Sequence, residues 1–212
     1  VSSGENHSCA VRSDGTVVCW GNDDYGQSVA PGGLFLQVSA GSDFTCGIAV
    51  EGTLVCWGDD SEGQSTPPEG SFSHVSAGVA SIVGCGVGAD GTVRCWGEDT
   101  CGLLAAPEGS FSRVSVGECH ACGVRVDGTL ECWGLDLYGE MSPPAGTFVD
   151  VGAGVAYSCG VQSDGTLHCW GRDYWGLTSP PEGTFSQVSV NRDYACGLRT
   201  DGGVSCWGVI AR

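Results

Sequence analysis

Fourteen cysteines are the residues of this 212-residue chain with the most chemistry to offer. Twelve of them form pairs ten positions apart, as in C-A-V-R-S-D-G-T-V-V-C-W-G from Cys9 to Gly21. Such pairs serve as metal ligands, redox couples or disulfide staples. A zinc site prefers short Cys-x-x-Cys knuckles converging on one ion, and this spacing does not supply them. Asp-Gly between two runs of β-branched and apolar residues is instead a hairpin signal. With Ser13-Asp14-Gly15 as the loop and Gly15 at positive φ, Val11 faces Val17 and Cys9 faces Cys19. The cysteines then form a non-hydrogen-bonded cross-strand pair with Cα atoms about 4.5–5.5 Å apart, within reach of a disulfide. The expected staples are Cys9–Cys19, Cys46–Cys56, Cys85–Cys95, Cys122–Cys132, Cys159–Cys169 and Cys196–Cys206.

Cys101 and Cys119 stand outside this pattern and are expected to pair with each other across neighbouring units. Cys119-His120-Ala121-Cys122 has redox or zinc spacing, but Cys122 already has a hairpin partner. Asp23, Asp60, Asp99, Asp136 and Asp173 recur in W-G-x-D-x-x-G, which suits a side-chain cap on a tight turn. No D-x-D-x-D-G calcium loop, Gly-x-Ser-x-Gly elbow or His-Glu-x-x-His helix is present, and no carboxylate pair stands out for acid–base hydrolysis. The reading is therefore a non-enzyme without cofactor or metal.

The elements that position these residues repeat. Cys-Trp-Gly occurs at 19–21, 56–58, 95–97, 132–134, 169–171 and 206–208, with steps of 37 residues and one of 39. Gly and Pro punctuate every unit, and no segment has a helical period. Four short strands per unit are expected: A at "FSHVSA", B around the first Cys, C ending in Cys-Trp, and D between Gly-Gln and Pro-Pro. Units this small must stack on neighbours, which makes the fold all-β, a six-bladed β-propeller of four-stranded blades filling residues 1–212 as one domain. A closed ring is expected. Its last blade is short, or uses Val209-Ile210-Ala211 as an outer strand, or the chain is a piece of something longer.

V-S-A-G, D-G-T-x-x-C-W-G and G-Q-x-x-P-P resemble the regulator-of-chromosome-condensation family of propeller repeats across essentially the whole chain. Within it, the period and "WGDDSEGQSTPP" look like those of a secreted bacterial β-lactamase-inhibitor propeller. The cysteine-paired hairpins are similar to those of crinkly-type plant receptor ectodomains. Those relatives usually have seven blades, and this chain shows six. The resemblance implies a binding module, an enzyme inhibitor in one version, but the fold hosts unrelated functions.

Net charge is −17 with no lysine, which argues against nucleic acid and anionic membranes as partners. The cysteine content points to a secreted or extracellular setting. Asn6-His7-Ser8 is a glycosylation sequon that has meaning only in a eukaryotic secretory pathway. Alternating strands put the A–B and C–D loops on one face and the Asp-Gly turns on the other. Tyr25, Tyr138, Tyr157, Tyr174, Trp175, Tyr194, His7, His120 and Phe44 all fall on the first face. As a binding surface they suit an extracellular protein or glycan, and the acids beside them suit a basic protein. For the Phe44, Tyr157, Tyr194, His7 and His120 slot, packing between blades is the competing reading. A structural unit that self-assembles through an open last blade is the alternative function.

Overall fold

The computed structural model describes residues 1–209. Six antiparallel three-stranded sheets form six blades. They are β1–β3 (Ser2–Ser3, His7–Val11, Val17–Gly21), β4–β6 (Phe35–Ala40, Phe44–Ala49, Leu54–Gly58) and β7–β9 (Phe72–Ala77, Val83–Gly88, Val93–Gly97). The remaining three are β10–β12 (Phe111–Val116, His120–Arg125, Leu130–Gly134), β13–β15 (Phe148–Ala153, Tyr157–Gln162, Leu167–Gly171) and β16–β18 (Phe185–Val190, Tyr194–Arg199, Val204–Gly208). The hairpin register is the expected one. Cys9 pairs with Cys19 and Val11 with Val17, and Gly15 closes the turn at φ 85°. All six hairpins carry their staple, with Cα atoms 4.0–4.1 Å apart. Cys101 and Cys119 are also bonded, with Cα atoms 5.2 Å apart.

The expected fourth strand does not form in any described blade. The Gly-Gln-x-x-Pro-Pro segment lacks the free donors for a ladder, because proline has no N–H. Its other amides are bonded locally: Ser28 N–H donates to Asp23 Oδ1 at 2.9 Å, and Ser65 N–H to Asp60 Oδ1 at 2.9 Å. The repeated Asp is thus a turn cap. Of the expected outer strand Val209-Ile210-Ala211, only Val209 lies within the described residues, and it is not in a strand.

Alternation along each strand gives a blade two faces. His7, Cys9 and Val11 point one way, and Trp20 points the other. The Cys face of each blade packs on the Trp face of the next: Trp57 and Phe35 join Cys9, Val11, Val17 and Cys19, and Trp96 joins Phe44, Cys46, Ile48 and Leu54. Every such indole donates its N–H across the interface. Trp57, Trp96, Trp133, Trp170 and Trp207 bond the carbonyls of Gln27, Gln64, Leu103, Glu140 and Leu177 at 2.8–2.9 Å.

This packing corrects part of the expected binding surface. Phe44, Tyr157, His120 and His7 are only 0–3% exposed. Each lies two residues before a hairpin Cys and therefore shares its face, inside the blade interface. His7 Nε2 meets Thr45 Oγ1 at 2.6 Å and His120 Nε2 meets Ser158 Oγ at 2.8 Å, both on the next blade.

Near the axis, the inner strands have a free edge whose N–H groups need partners. Side chains from the preceding blade supply them. Ser2, Ser39, Ser76 and Ser115 hydroxyls accept from Ala40, Ala77, Val116 and Ala153 N–H at 2.9–3.1 Å. One layer away, Gln37 Oε1, His74 Nδ1 and Asp150 Oδ2 accept from Val75, Val114 and Val188 N–H. Six inner strands surround an axial cavity of about 110 Å³.

The seam between the last blade and the first is different. Four of the other blades place glycine after the inner strand at Gly4, Gly41, Gly117 and Gly154, where a Cβ would overlap or crowd the next blade's carbonyl. At the seam the residue is Asn191, whose Nδ2 donates to Gly4 O at 3.3 Å, and Arg192 pairs with Glu5 at 3.1 Å. Away from these loops the two faces stand apart. Trp20 is 50% exposed against 6–9% for the other five interface tryptophans, and Tyr194, Leu198 and Val204 are open on the last blade. A cavity of about 470 Å³ lies there, lined by Val1, Ser3, Tyr194, Leu198 and Val204 among others.

Two outcomes are expected. Trp57→Ala removes a buried indole and one of the two donors to the Gln27 carbonyl, so it should cost about 3–5 kcal/mol, whereas Trp20→Ala should cost roughly 1 kcal/mol or less. Urea unfolding with the disulfides intact measures both, and equal losses would contradict the seam. Burial also pushes the His120 imidazole down to about 4, only partly opposed by Asp136. Its ordinary value is about 6.5, so the unfolded chain binds the extra proton first and stability falls as pH drops from 6.5 toward 4. His120→Phe, which copies the Phe44 slot, should flatten that part of the stability–pH curve, and an unchanged slope would count against the neutral buried imidazole.

Candidate functional site

The A–B and C–D loops meet at one end of each blade. Asn22 N–H donates to Asn6 O at 2.9 Å, Asp59 N–H to Asp43 O at 2.9 Å, Leu135 N–H to Cys119 O at 2.7 Å and Arg172 N–H to Ala156 O at 2.8 Å. In these blades the residue after Trp-Gly therefore starts its loop from a fixed backbone position. What it does next depends on a partner five residues later. In the first two blades Gln27 Nε2 bonds Asn22 Oδ1 at 2.6 Å and Gln64 Nε2 bonds Asp59 Oδ2 at 2.9 Å, folding these side chains inward.

The third, fourth and fifth blades break that pattern; in the third the slot holds buried Leu103, five residues after Glu98. Glu140 occupies the glutamine slot, is buried, and accepts from Leu137 and Tyr138 N–H at 3.0 and 2.7 Å. Leu135 has nothing to accept with and stays exposed. In the fifth blade the slot holds Leu177, which is buried, so Arg172 is released. Its guanidinium carbon lies 4.1 Å from the ring centre of Tyr138 and 3.7 Å from that of Tyr174. The Tyr174 ring is 5.6 Å from that of Trp175.

Trp175 is 69% exposed and has φ 53°. A bulky residue in the left-handed region costs of order 1–3 kcal/mol, so the loop holds this indole outward against a backbone preference. A cavity of about 280 Å³ between the fourth and fifth blades is lined by Glu118, Leu137, Tyr138 and Arg172. Another of about 220 Å³ between the fifth and sixth is lined by Arg172, Tyr174, Trp175 and Asp193. The Cys101–Cys119 bond ties the third blade's C–D loop to the fourth blade's A–B loop, whose Cys119 carbonyl anchors Leu135.

Of the aromatic residues expected on this face, Tyr138, Tyr174 and Trp175 are brought together. Tyr25 is exposed but alone on the first blade, and Tyr194 stands at the seam, where Asn191 Nδ2 reaches its hydroxyl at 3.3 Å. Arg172 was not among the residues expected to bind. The signal for it was the replacement of Gln by Leu at 177, which withdraws the tie on residue 172. The acidic loops divide as well. Burial raises the proton affinity of Asp43, and neighbouring Glu5, Asp59 and Asp24 add to the effect, which places the tightest acidic crowding at blades one and two. Asp136 and Asp173 are committed to turns, accepting from Gly139 and Thr178 N–H.

Residues 1–27 and 35–64 match the family described as the regulator of chromosome condensation (RCC1) repeat. No curated protein matches the chain in sequence. Among solved structures, the entire ectodomain of the Physcomitrella patens receptor kinase CR4 is 26% identical, with a TM-score of 0.81 over 97% of this chain and 60% of that one. The chain thus spans less than two thirds of that ectodomain. The crinkly ectodomain of the Arabidopsis thaliana receptor kinase ACR4 is 25% identical, with a TM-score of 0.78 over 97% of this chain and 79% of that one. Prp20p of Saccharomyces cerevisiae shares the fold, with 15% identity and a TM-score of 0.83 over 98% of this chain and 70% of that one. With six disulfide-stapled blades and a buried Trp in five of the blade interfaces, this chain is an all-β propeller whose residues 1–27 and 35–64 match the RCC1 repeat.

Proposed function

We propose that the chain is an extracellular binding module that grips a protein partner through Tyr138, Arg172, Tyr174 and Trp175. The observation that carries this reading is the exposed cluster itself: two tyrosine rings lie against one cation, with a strained, outward indole beside them. Soluble proteins place large aromatics in the open where they gain contact area on binding. Exposed Leu135 and Leu137 extend the apolar surface, which favours a protein over a glycan. Seven disulfides favour an oxidising compartment, and the two receptor ectodomains of similar fold support an extracellular role.

A second reading, assembly through the seam, is favoured by the open apolar residues Tyr194, Leu198 and Val204. Sedimentation of the native chain should then show concentration-dependent association that Val204→Glu abolishes. A monomer at all concentrations would remove this reading.

For the first, a panel of extracellular proteins and a glycan array should be screened with the native chain and with Tyr138→Ala, Tyr174→Ala, Trp175→Ala combined. The triple variant should lose about 100-fold or more in affinity for a protein ligand, given hot-spot costs near 2 kcal/mol each, while Tyr25→Ala changes little. Loss of glycan binding alone would replace the protein partner with a sugar, and equal binding by the triple variant would sink the site.

A further inference from the structure

All the cations of this chain are arginines, and most have partners within the fold. Arg94, Arg113, Arg125 and Arg192 each lie against a carboxylate. Arg199 is held by the Ser205 hydroxyl and the Glu182 carbonyl, and Arg12 stands beside Asp14 in an exposed turn. Arg172 has neither kind of partner among the described residues, although the chain carries 25 acidic residues. Its guanidinium carbon lies over the rings of both Tyr138 and Tyr174, 4.1 and 3.7 Å from their centres.

Stacking uses the faces of a guanidinium and leaves its in-plane N–H groups free. The same stacking fixes the plane, so little side-chain entropy remains to be lost when an acceptor arrives. Arg172 lines both cavities, of about 280 and 220 Å³. A rigid, unpaired fork beside two cavities matches the two oxygens of a carboxylate.

The surroundings narrow the source of that carboxylate. Glu118 lines one cavity, Asp193 lines the other beside Arg192, whose charge is paired with Glu5, and Asp136 and Asp173 sit in the adjoining loops. A polyanion would be repelled, whereas one acid set among basic and apolar side chains would be complemented by these carboxylates and by Leu135 and Leu137. We propose that Arg172 reads a single Asp or Glu side chain of the partner protein, with Tyr138, Tyr174 and Trp175 packing on its neighbours. This rests on the binding-face reading above and adds the chemistry that the face selects.

The test is a random-peptide display selection on the immobilised, disulfide-bonded chain. Selected peptides are then titrated against the native chain, Arg172→Gln, Arg172→Lys and Trp175→Ala. The expected peptides share an Asp or Glu within apolar and basic residues. Arg172→Gln should weaken them about tenfold or more, as loss of a charge-assisted bidentate pair does, and Arg172→Lys should recover only part. Replacing the peptide acid by its amide should weaken native binding equally and have no further effect on Arg172→Gln. Peptides lost on Trp175→Ala but indifferent to Arg172→Gln, or lacking a shared acid, would overturn the carboxylate and leave the binding face standing. Peptides indifferent to both substitutions, or a selection without binders, would overturn both.

Discussion

The indole N–H that each blade donates to the blade before it is the interaction on which the rest of the molecule depends. A three-stranded sheet of this size has two faces to bury and no core of its own. Its Trp covers the neighbour's disulfide with apolar surface, but a buried indole also needs an acceptor. The acceptor is always a carbonyl of the segment that follows Cys-Trp-Gly in the preceding blade. That segment has no ladder hydrogen bonds, so this bond and the Asp-capped turns give it a fixed course. The loops of the candidate site leave from it. Interface packing and loop placement are therefore one event, repeated at every junction except the seam.

The seam follows from the same rule. Where the indole has a neighbour, the slot residue before the Cys and the aliphatic after it are buried. Where it has none, Tyr194 and Leu198 are open and Trp20 faces solvent. Asn191 marks this junction in the sequence itself. The other blades need glycine because the next backbone passes within contact of that Cα, and only the last blade accepts a side chain there. The staples act at a different level. Each closes a short loop, which limits it to roughly 2–3 kcal/mol of chain entropy, and each leaves an apolar surface for the next Trp to cover. The turn already sets the hairpin register, and the half-cystines are the floor of the five packed interfaces.

Much of this was legible because it is local. An Asp-Gly turn fixes a register, a register fixes a cysteine pair, and the 37-residue step multiplies both. Three features were read less well, each for a physical reason. The fourth strand was inferred from spacing, yet its prolines and side-chain-capped amides leave no ladder to form. The aromatic slot was assigned to a loop by counting from the turn, although parity with Cys9, Cys46, Cys122 and Cys159 already put His7, Phe44, His120 and Tyr157 on the buried face. The serine of V-S-A-G has no role assigned to it from the sequence. A polar residue on an otherwise buried strand signals an edge amide to be satisfied, and here that amide belongs to the next blade.

The candidate site was legible only in part, because its central residue is defined by the loss of an interaction. Position 172 has counterparts at 22, 59, 98 and 135, so the chain carries its own controls. Where glutamine stands five residues on, the side chain is tied and the loop presents little. Where glutamine becomes glutamate, the acid takes two loop amides instead and the freed position is apolar Leu135. Where it becomes Leu177, the freed position is a cation, and the tyrosine presented by the fourth blade supplies one of the two rings against it. The departures of the fourth and fifth blades thus build one surface, each supplying what the other lacks, whereas in the third blade Leu103 follows Glu98 and the position holds an acid instead. A repeat protein conserves its scaffold through bonds that recur in every unit, and the places where those bonds are missing are where a side chain is free to meet something else.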